Sequence, residues 1–307
     1  MTSFRIARER SLYQSFNPGS MHAQQRQLAQ LREQVSTGMR VNRPSDDPAA
    51  FGKARSVESL NERYGAHLRT IESSRSWLNH TEQALDHMVE LYTQASEEML
   101  RASGDSRWTG DRVAIAGRLE SILDEVIDTM NVQVDGEYLF AGTRTRLAPF
   151  DADGNLTAPD PADIDGARMR DIGPSTEIQI NVSGRALFEV SDTLTIVDAL
   201  AQSIEAVRFD DGAGDYDGMQ QGLANIEAAR NHLTDLVAST GNTARRLSLA
   251  ESNLRDMSLL AEARRSELED MDMLDGMMQL QRAETGLQAA LQVAGRTLQT
   301  SILDYLR

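Results

Sequence analysis

The stretch STGMRVNRPSDDPAA, residues 36–50, holds the first side chains of the sequence whose types could do chemistry. Two carboxylates, Asp46 and Asp47, follow directly after Ser45, so a serine nucleophile beside acidic partners is one interpretation. Such a serine needs a base to take its proton, and no histidine is near it in sequence. The same residues have a second interpretation, as the linker between two helices.

Capping preferences favour the linker. Gly38 supplies a C-terminal stop for a preceding helix, and Pro44 disfavours helical backbone at Arg43. Asp47 before Pro48 is typical of an N-cap and a first helical residue, because proline lacks the amide that this position leaves unpaired and the aspartate accepts an amide of the first turn. The two residues before Asp47 add acceptors and negative charge near the helix start. The predicted linker motif includes Gly38, Pro44, Ser45, Asp46, Asp47 and Pro48.

The other candidates for metal binding or catalysis fit known sites poorly. The acidic loop DADGN, residues 151–155, alternates oxygen side chains as a calcium loop does, but Ala162 stands where that loop has its bidentate glutamate. A solvated turn is the simpler interpretation. His80 and His87 could share a helix face, yet their spacing is not the i,i+4 spacing of a zinc helix. The sequence also lacks phosphate-binding glycine loops and the G-x-S-x-G serine elbow, so it predicts no catalytic residue, metal or cofactor.

Composition excludes further classes of function. The 307 residues include no cysteine, which excludes disulfides, thiol catalysis and cysteine-ligated metals. The formal net charge of −16 argues against a chain that coats nucleic acid or an anionic membrane. No window has the ~18 apolar residues of a membrane span, and the first residues lack the apolar core of a secretory signal. We therefore expect neither nucleic acid nor membrane among the partners.

Apolar residues at helical spacing dominate both ends of the sequence. A helix is predicted over residues 20–37 and a longer one over 57–100, which would be on the order of 65 Å long at ~1.5 Å per residue. Residues 217–270 are also helical in pattern, and a last helix follows. Narrow apolar seams on such long helices indicate pairing with each other or with other chains. The predicted assembly seams are Leu28, Leu31 and Val35 near one end, and Leu287, Leu291, Ala294, Leu298, Ile302, Tyr305 and Leu306 near the other.

The middle of the sequence changes to short alternating runs and Gly/Asp/Pro loops. In TEIQINVSG, apolar residues alternate with polar ones, which is typical of a half-buried strand. A short helix is predicted from Thr193 to Val207, capped by Ser191 or Asp192. The predicted fold class is mainly α: a long-helix bundle or coiled-coil rod built from both chain ends, lying side by side, with a small β-containing inserted domain.

The predicted organisation has three parts. Residues 1–45 and 275–307 form terminal assembly helices, residues 46–135 and 216–274 form a helical rod domain, and residues 136–215 form an inserted outer domain. The terminal seams have few aromatics and many Gln, Ala and Ser, so they bury too little surface alone to offset the cost of ordering. We expect both ends to be disordered in the separated chain and to fold when partner chains complete the seams.

Four stretches of the sequence resemble one protein family. TGMRVNRPSDDPAA closely resembles the N-terminal signature of the bacterial flagellin superfamily, which adds Arg40, Val41 and Asn42 to the linker motif. LQAALQVAGRTLQTSILDYL is similar to the last helix of that superfamily. VQVDGEYLFAGTRTRLAPF and the ending SILDYLR resemble its hook–filament junction branch more than flagellin proper. The resemblance does not extend over residues 150–215.

The resemblance implies a non-enzymatic structural subunit of the bacterial flagellum, exported by the flagellar type III route to the cell exterior without a cleaved signal peptide. Its terminal helices would form a coiled-coil core on assembly. Its partners would be copies of itself, hook-associated protein 1 on the hook side, flagellin on the filament side and an export chaperone at the C-terminal helix. Two alternatives stay open: a flagellin, which is the bulk filament subunit, and an exported adhesin or enzyme with helical arms.

Overall fold

The chain forms two compact units. One combines both chain ends, up to residue 63 and from residue 258 onward, and is called the terminal unit below. The other comprises residues 64–257 and is called the central unit. The computed structural model describes residues 18–103, 109–157, 164–208 and 216–305. Predictions that concern residues 1–17 or 306–307, including Leu306, lie outside the described residues.

Seven helices and six short strands follow one another among the described residues. The helices are α1 (Pro18–Thr37), α2 (Pro48–Ser103), α3 (Thr109–Met130), α4 (Gly184–Phe188), α5 (Ile196–Arg208), α6 (Tyr216–Glu269) and α7 (Met273–Tyr305). The strands are β1 (Gln133–Val134), β2 (Glu137–Tyr138), β3 (Met169–Gly173), β4 (Thr176–Gln179), β5 (Glu189–Ser191) and β6 (Leu194–Thr195). Long helices from both chain ends with a small strand-containing region confirm the predicted fold class. None of the described helices combines the length and the hydropathy that crossing a membrane requires.

In the terminal unit, α1 packs against α7. Leu28 and Leu31 of α1 are buried, with 7% and 6% of their surface exposed. An ion pair links the two helices, with Arg32 Nη2 lying 2.8 Å from Glu284 Oε1. Residues from opposite ends of the sequence therefore share one core, which confirms the prediction that the two chain ends lie side by side.

In the central unit, α2 is buried over a broad face. Leu85, Met88 and Tyr92 are fully buried. The Tyr92 hydroxyl donates a hydrogen bond to the carbonyl oxygen of Ile196 at the start of α5. Burial raises the pKa of Tyr92 above its ordinary range, so the hydroxyl keeps its proton and remains a donor. The contact fixes α5 against the middle of α2.

Ion pairs join α2 to two further helices of the central unit. Glu98 of α2 is only 8% exposed, and Arg118 Nη2 of α3 lies 2.9 Å from its Oε2 atom. Arg75 of α2 pairs with Glu251 of α6. Because α2 contacts α3, α5 and α6 together, its buried face is wider than the single apolar seam that sequence periodicity predicts.

The region between α3 and α5 begins with a tight hairpin. Strands β1 and β2 pair in antiparallel register and are joined by Asp135 and Gly136, whose φ angles are 54° and 80°. Two consecutive residues with positive φ form the type I′ turn that suits the twist of a two-residue hairpin. Leu139 and Phe140 follow directly and are buried at 2% and 0% exposure. The stretch VDGEYLF therefore folds as a tight turn followed by two buried apolar residues.

Two further hairpins, β3–β4 and β5–β6, complete the inserted region, and each of the three sheets has two strands. Strand β4 confirms the strand predicted in TEIQINVSG. The predicted cap of α5 is wrong, because Ser191 is the last residue of β5 and Asp192 lies in the turn between β5 and β6. The hydroxyl of Thr195 accepts the amide of Asp198 at 2.9 Å instead, so the helix begins three residues later than predicted.

Aromatic rings and a close backbone approach hold the inserted region together. The rings of Phe150 and Phe188 lie 5.8 Å apart between centroids. At Gly184, the first residue of α4, an added Cβ would lie 2.2 Å from Ile164 Cγ2 and 2.6 Å from the carbonyl oxygen of Phe140. Only glycine fits at this position, because a backbone oxygen cannot turn aside as a flexible side chain can.

Candidate functional site

The candidate site consists of two short segments that meet in the terminal unit. The N-linker, residues 38–47, connects α1 to α2, and the C-linker, residues 270–272, connects α6 to α7. Met39 and Asp270 are partners in an antiparallel bridge. Two backbone hydrogen bonds flank this pair: the amide of Arg40 donates to the carbonyl of Glu269 at 2.6 Å, and the amide of Met271 donates to the carbonyl of Gly38 at 2.9 Å.

The N-linker begins as predicted. Gly38 has a φ of +74°, the left-handed conformation that ends many helices and that glycine adopts without steric cost. Its amide donates to the carbonyl of Gln34 at 2.9 Å and closes the last turn of α1. The chain then leaves the helix axis and becomes available for pairing at Met39.

Asp46 stabilises the turn in the middle of the N-linker. Its Oδ2 atom accepts the amides of Asn42 at 3.1 Å and Arg43 at 2.9 Å. Its own amide donates to the carbonyl of Arg43 at 3.0 Å, which closes a turn with Pro44 in its second position, where proline fits well. The prediction gave Asp46 a role at the start of the next helix, whereas its acceptor atoms serve the turn before that helix.

Asp47 is the N-cap of α2, as the sequence predicts. Its Oδ1 atom accepts the amides of Ala49 at 3.1 Å and Ala50 at 2.9 Å, two of the donors that a helix start leaves unpaired. The hydrogen bond from Ala50 is the main cause that holds the pKa of Asp47 below its ordinary value of 3.8, and Arg40 lowers it further. The carboxylate is therefore structural and needs no catalytic interpretation.

The lowered pKa of Asp47 predicts an acid-sensitive helix start. The folded chain holds this proton less tightly than the unfolded chain, so the contribution of the cap is complete above pH 3.8 and is lost as pH falls through the lowered pKa. Asparagine caps helices equally well without titrating. We expect the Ala50 amide to lose protection from hydrogen exchange in the wild-type chain as pH falls from about 4 to about 2, and to keep it in Asp47→Asn. Equal losses in both chains would contradict the assignment.

The C-linker is a second cap that sequence analysis missed. Asp272 Oδ1 accepts the amides of Leu274 at 2.9 Å and Asp275 at 3.3 Å, so it caps α7 as Asp47 caps α2. The thioether of Met271 packs on Gly276, where an added Cβ would lie 2.7 Å from its sulfur. An aspartate before a helical pattern was the available signal, and the same capping preference would have found it.

The side chain of Arg40 connects the N-linker to the last turn of α6. Its Nη2 atom donates to the carbonyl of Leu268 at 2.8 Å, and its Nη1 atom lies 3.5 Å from Asp47 Oδ2. The carbonyls of the last turn of a helix lack partners within the helix, and a positive charge there is favoured by the helix dipole. Arg43, three residues later, points to a different partner and pairs with Glu33 of α1 at 2.9 Å.

The predicted assembly seams divide into buried and exposed residues. Leu28 and Leu31 are buried between α1 and α7, and Val35 and Leu287 are half-buried. Leu291 is 47% exposed. The side chains of Ala294, Leu298, Ile302 and Tyr305 lie outside the described residues, as does all of Leu306.

A row of large apolar side chains on α7 faces solvent. Their exposed fractions run from 40% to 76%, and they are Met273, Leu274, Met277, Met278, Leu291 and Val293. Large exposed apolar patches on a protein mark sites of association, so these side chains make α7 a candidate surface for association. Within the described residues, no three His, Asp or Glu side chains are placed to hold a metal ion. The chemistry available at this site is helix–helix packing.

The remaining candidates from the sequence have local structural partners. Asp151 Oδ1 accepts the amides of Asp153 at 3.0 Å and Asn155 at 2.8 Å, so this carboxylate closes its own loop. His87 Nε2 lies 3.1 Å from Glu125 Oε1 and links α2 to α3.

Comparison with known proteins identifies the family. The family model of the bacterial flagellin N-terminal helical region matches residues 13–145, and that of the bacterial flagellin C-terminal helical region matches residues 223–306. Together they match more than two thirds of the chain. The chain belongs to the bacterial flagellin superfamily.

Within the flagellin superfamily, the flagellar hook-associated protein 3 of Salmonella typhimurium is 29% identical over 271 residues, which cover 81% of this chain and 83% of that protein. A flagellin of Listeria monocytogenes is 22% identical and covers 89% of both chains. The solved structure of a flagellar hook-associated protein from Vibrio parahaemolyticus matches with a TM-score of 0.66 at 18% identity, covering 73% of this chain and all of that one. The fold is therefore shared with solved members of the superfamily.

Both linkers lie within the segments that match the flagellin models. The N-linker falls in the N-terminal match and the C-linker in the C-terminal match. Strands β3 to β6 lie between the two matches, so most of the inserted region lies outside both family models. The family matches therefore include both linkers together with the long helices that flank them.

Proposed function

We propose that the chain is a structural subunit of the bacterial flagellum that forms the junction between the hook and the flagellin filament. The observation that carries this proposal is the exposed apolar row on α7, which pairs with α1 from the other end of the chain. Identity is higher to a hook-associated protein 3 than to a flagellin, at 29% against 22%. That difference favours the junction over the bulk filament as the place of this subunit.

Burial of the α7 row explains how such a subunit would assemble with its own copies. Each Å² of apolar surface removed from water contributes about 25 cal/mol, and the separated chain gains nothing from side chains that remain exposed. Neighbouring copies that cover Leu274, Met277 and Val293 would gain this energy. The seam residues Leu287 and Leu291 lie on the same helix and would join the contact.

The ordering of the terminal helices belongs to the same proposal. In the separated subunit, α1 and α7 would be largely unfolded, because the few apolar contacts between them offset little of the cost of ordering. Assembly would then supply the missing contacts. Limited proteolysis of the dilute full-length chain tests this: we expect early cleavage within both helices, and protection of both would count against it.

The neighbours of a junction subunit differ on its two sides. On the hook side the partner would be hook-associated protein 1, and on the filament side it would be flagellin, with copies of this chain forming the layer between them. The acidic net charge of −16 is unfavourable for nucleic acid or anionic membrane as partners.

Export would follow the flagellar type III route to the cell exterior. A dedicated chaperone would bind the C-terminal part of α7, from residue 280 onward, before assembly and prevent its premature association. Co-purification of the chain with the chaperone, with and without residues 280–307, tests this contact. Equal recovery of both forms would place chaperone binding elsewhere.

Genetics and localisation test the junction directly. A strain that lacks this gene should still secrete flagellin but fail to retain filaments, and antibody labelling should place the protein at the hook–filament boundary of detached flagella. Labelling along the whole filament would support the flagellin alternative instead. Filaments that remain attached in the deletion strain would contradict both.

An enzyme or adhesin with helical arms is the remaining alternative. Such a protein needs convergent polar groups in the inserted region, where Asp151 and Asn181 hydrogen-bond to their own loops and strands. Screening of the full-length chain against hydrolase substrates should give no turnover above background.

A further inference from the structure

The two linkers have a feature that assembly of the terminal helices does not require. At each helix end that borders a linker, unpaired backbone groups form hydrogen bonds either with the adjacent linker or with the other linker. The N-linker residue Gly38 ends α1, and Asp47 begins α2. The C-linker residue Asp272 begins α7. At the end of α6, the amide of Asp270 donates locally to the carbonyl of Ser266 at 2.8 Å, but the last two carbonyls, those of Leu268 and Glu269, receive their hydrogen bonds from the other end of the chain.

The last carbonyls of α6 are capped by the N-linker. The carbonyl of Glu269 accepts the backbone amides of Arg40 at 2.6 Å and Val41 at 3.3 Å. The carbonyl of Leu268 accepts the Arg40 side chain at 2.8 Å. These carbonyls have no intrahelical partner, so the N-linker takes the place that a local C-cap takes in most helices.

A reciprocal bond runs in the opposite direction. The amide of Met271, two residues before α7 begins, donates to the carbonyl of Gly38, the residue after α1. Bonds in both directions surround the Met39–Asp270 pair, which makes it a non-hydrogen-bonded antiparallel pair. Displacement of either linker therefore breaks bonds that belong to the other.

We propose that the N-linker, the last turn of α6 and the C-linker form a single clasp, held by Arg40, which makes the ordering of α1 and α7 one coupled event. Coupling of this kind is reciprocal: whatever fixes one terminal helix favours the other by the same factor. A passive alternative is that the linkers touch only because α1 and α7 already pack together. In that case Arg40 would contribute no more than any surface arginine of the linker.

A disulfide across the bridge tests the clasp in the full-length chain. Non-hydrogen-bonded antiparallel partners have Cα atoms about 4.5 Å apart, within the range that a disulfide spans. The chain has no cysteine of its own, so Met39→Cys with Asp270→Cys creates one defined pair. We expect an intramolecular disulfide under mild oxidation. Hydrogen exchange in both α1 and α7 should then slow about tenfold or more relative to the same variant after reduction.

Arg40 separates the clasp from the passive alternative. In the double-cysteine chain, Arg40→Ala should slow disulfide formation about tenfold, since it removes hydrogen bonds to a charged group. Arg43→Ala is the matched control, because the side chain of Arg43 pairs with Glu33 of α1 and not with the last turn of α6, and it should leave the rate within about twofold. Failure of the disulfide to form, slowed exchange in one helix only, or equal effects of the two arginines would each overturn the proposal. None of these results would touch the junction function, which is tested by localisation.

Discussion

A chain that carries Leu287→Asp together with Leu291→Asp is expected to keep its central fold and to lose assembly. Leu291 is 47% exposed and Leu287 is half-buried in the separate chain, so both new carboxylates remain hydrated there. In the assembled seam the same groups would be buried without partners, which costs several kcal/mol for each charge. We expect the assembled fraction to fall at least about a hundredfold, which corresponds to ~2.7 kcal/mol, as measured by sedimentation of the assembled layers.

The matched control adds the same number of charges at nearly the same position along α7. Gln288→Asp with Gln292→Asp places two carboxylates one residue further along, on a polar and exposed part of the helix. This chain should assemble nearly as the wild type does. Circular dichroism of both variants checks that the central unit stays helical. Normal junctions on the Leu287 and Leu291 variant would remove α7 from the assembly seam.

Gly184→Ala is expected to destabilise the inserted region far more than its single methyl group suggests. The new Cβ would lie 2.2 Å from Ile164 Cγ2 and 2.6 Å from the carbonyl oxygen of Phe140. Ile164 and Phe140 are themselves buried, at 4% and 0% exposure, so relief requires a backbone shift in a packed core. Overpacking of this kind costs about 1–3 kcal/mol, which urea denaturation followed by tryptophan fluorescence would measure for the central unit.

Gly117→Ala is the control for this substitution. Gly117 lies within α3, and an added Cβ would meet nothing within 4 Å. Alanine is favoured over glycine inside a helix by up to about 1 kcal/mol, so this variant should be slightly more stable than the wild type. If both substitutions shifted stability in the same direction, the close approach at Gly184 would not be the cause.

Local signals in the sequence predicted the long helices and one of the two linker caps, Asp47. The long helices follow from apolar periodicity, which needs only residues three and four positions apart. The Asp47–Pro48 start of α2 is equally local, because the cap accepts the amides of the residues two and three positions further along. Leu28 and Leu31 were found in the same way, and their burial against α7 shows that such a stripe reports a real packing face.

The features that the sequence did not predict depend on contacts between distant segments. A bridge of one residue pair, Met39 with Asp270, has no periodicity, and its register is fixed by tertiary structure alone. Met88 of α2 is buried in addition, because several helices contact α2. A single apolar seam predicts contact with one helix only. The start of α5 was placed too early because Ser191 could cap a helix but pairs in a hairpin instead.

The three small hairpins have a consequence for the proposed assembly, in which the chain would be surrounded by identical copies. Their strands are two to five residues long, and no sheet in the described chain has more than two of them. An open sheet edge recruits strands from other molecules only when it is long and flat. These edges are too short for that, and Arg170 and Asp171 place charges on the longest one. Neighbouring copies would therefore not pair through their strand edges. Helix–helix contact would remain the favoured route to ordered assembly.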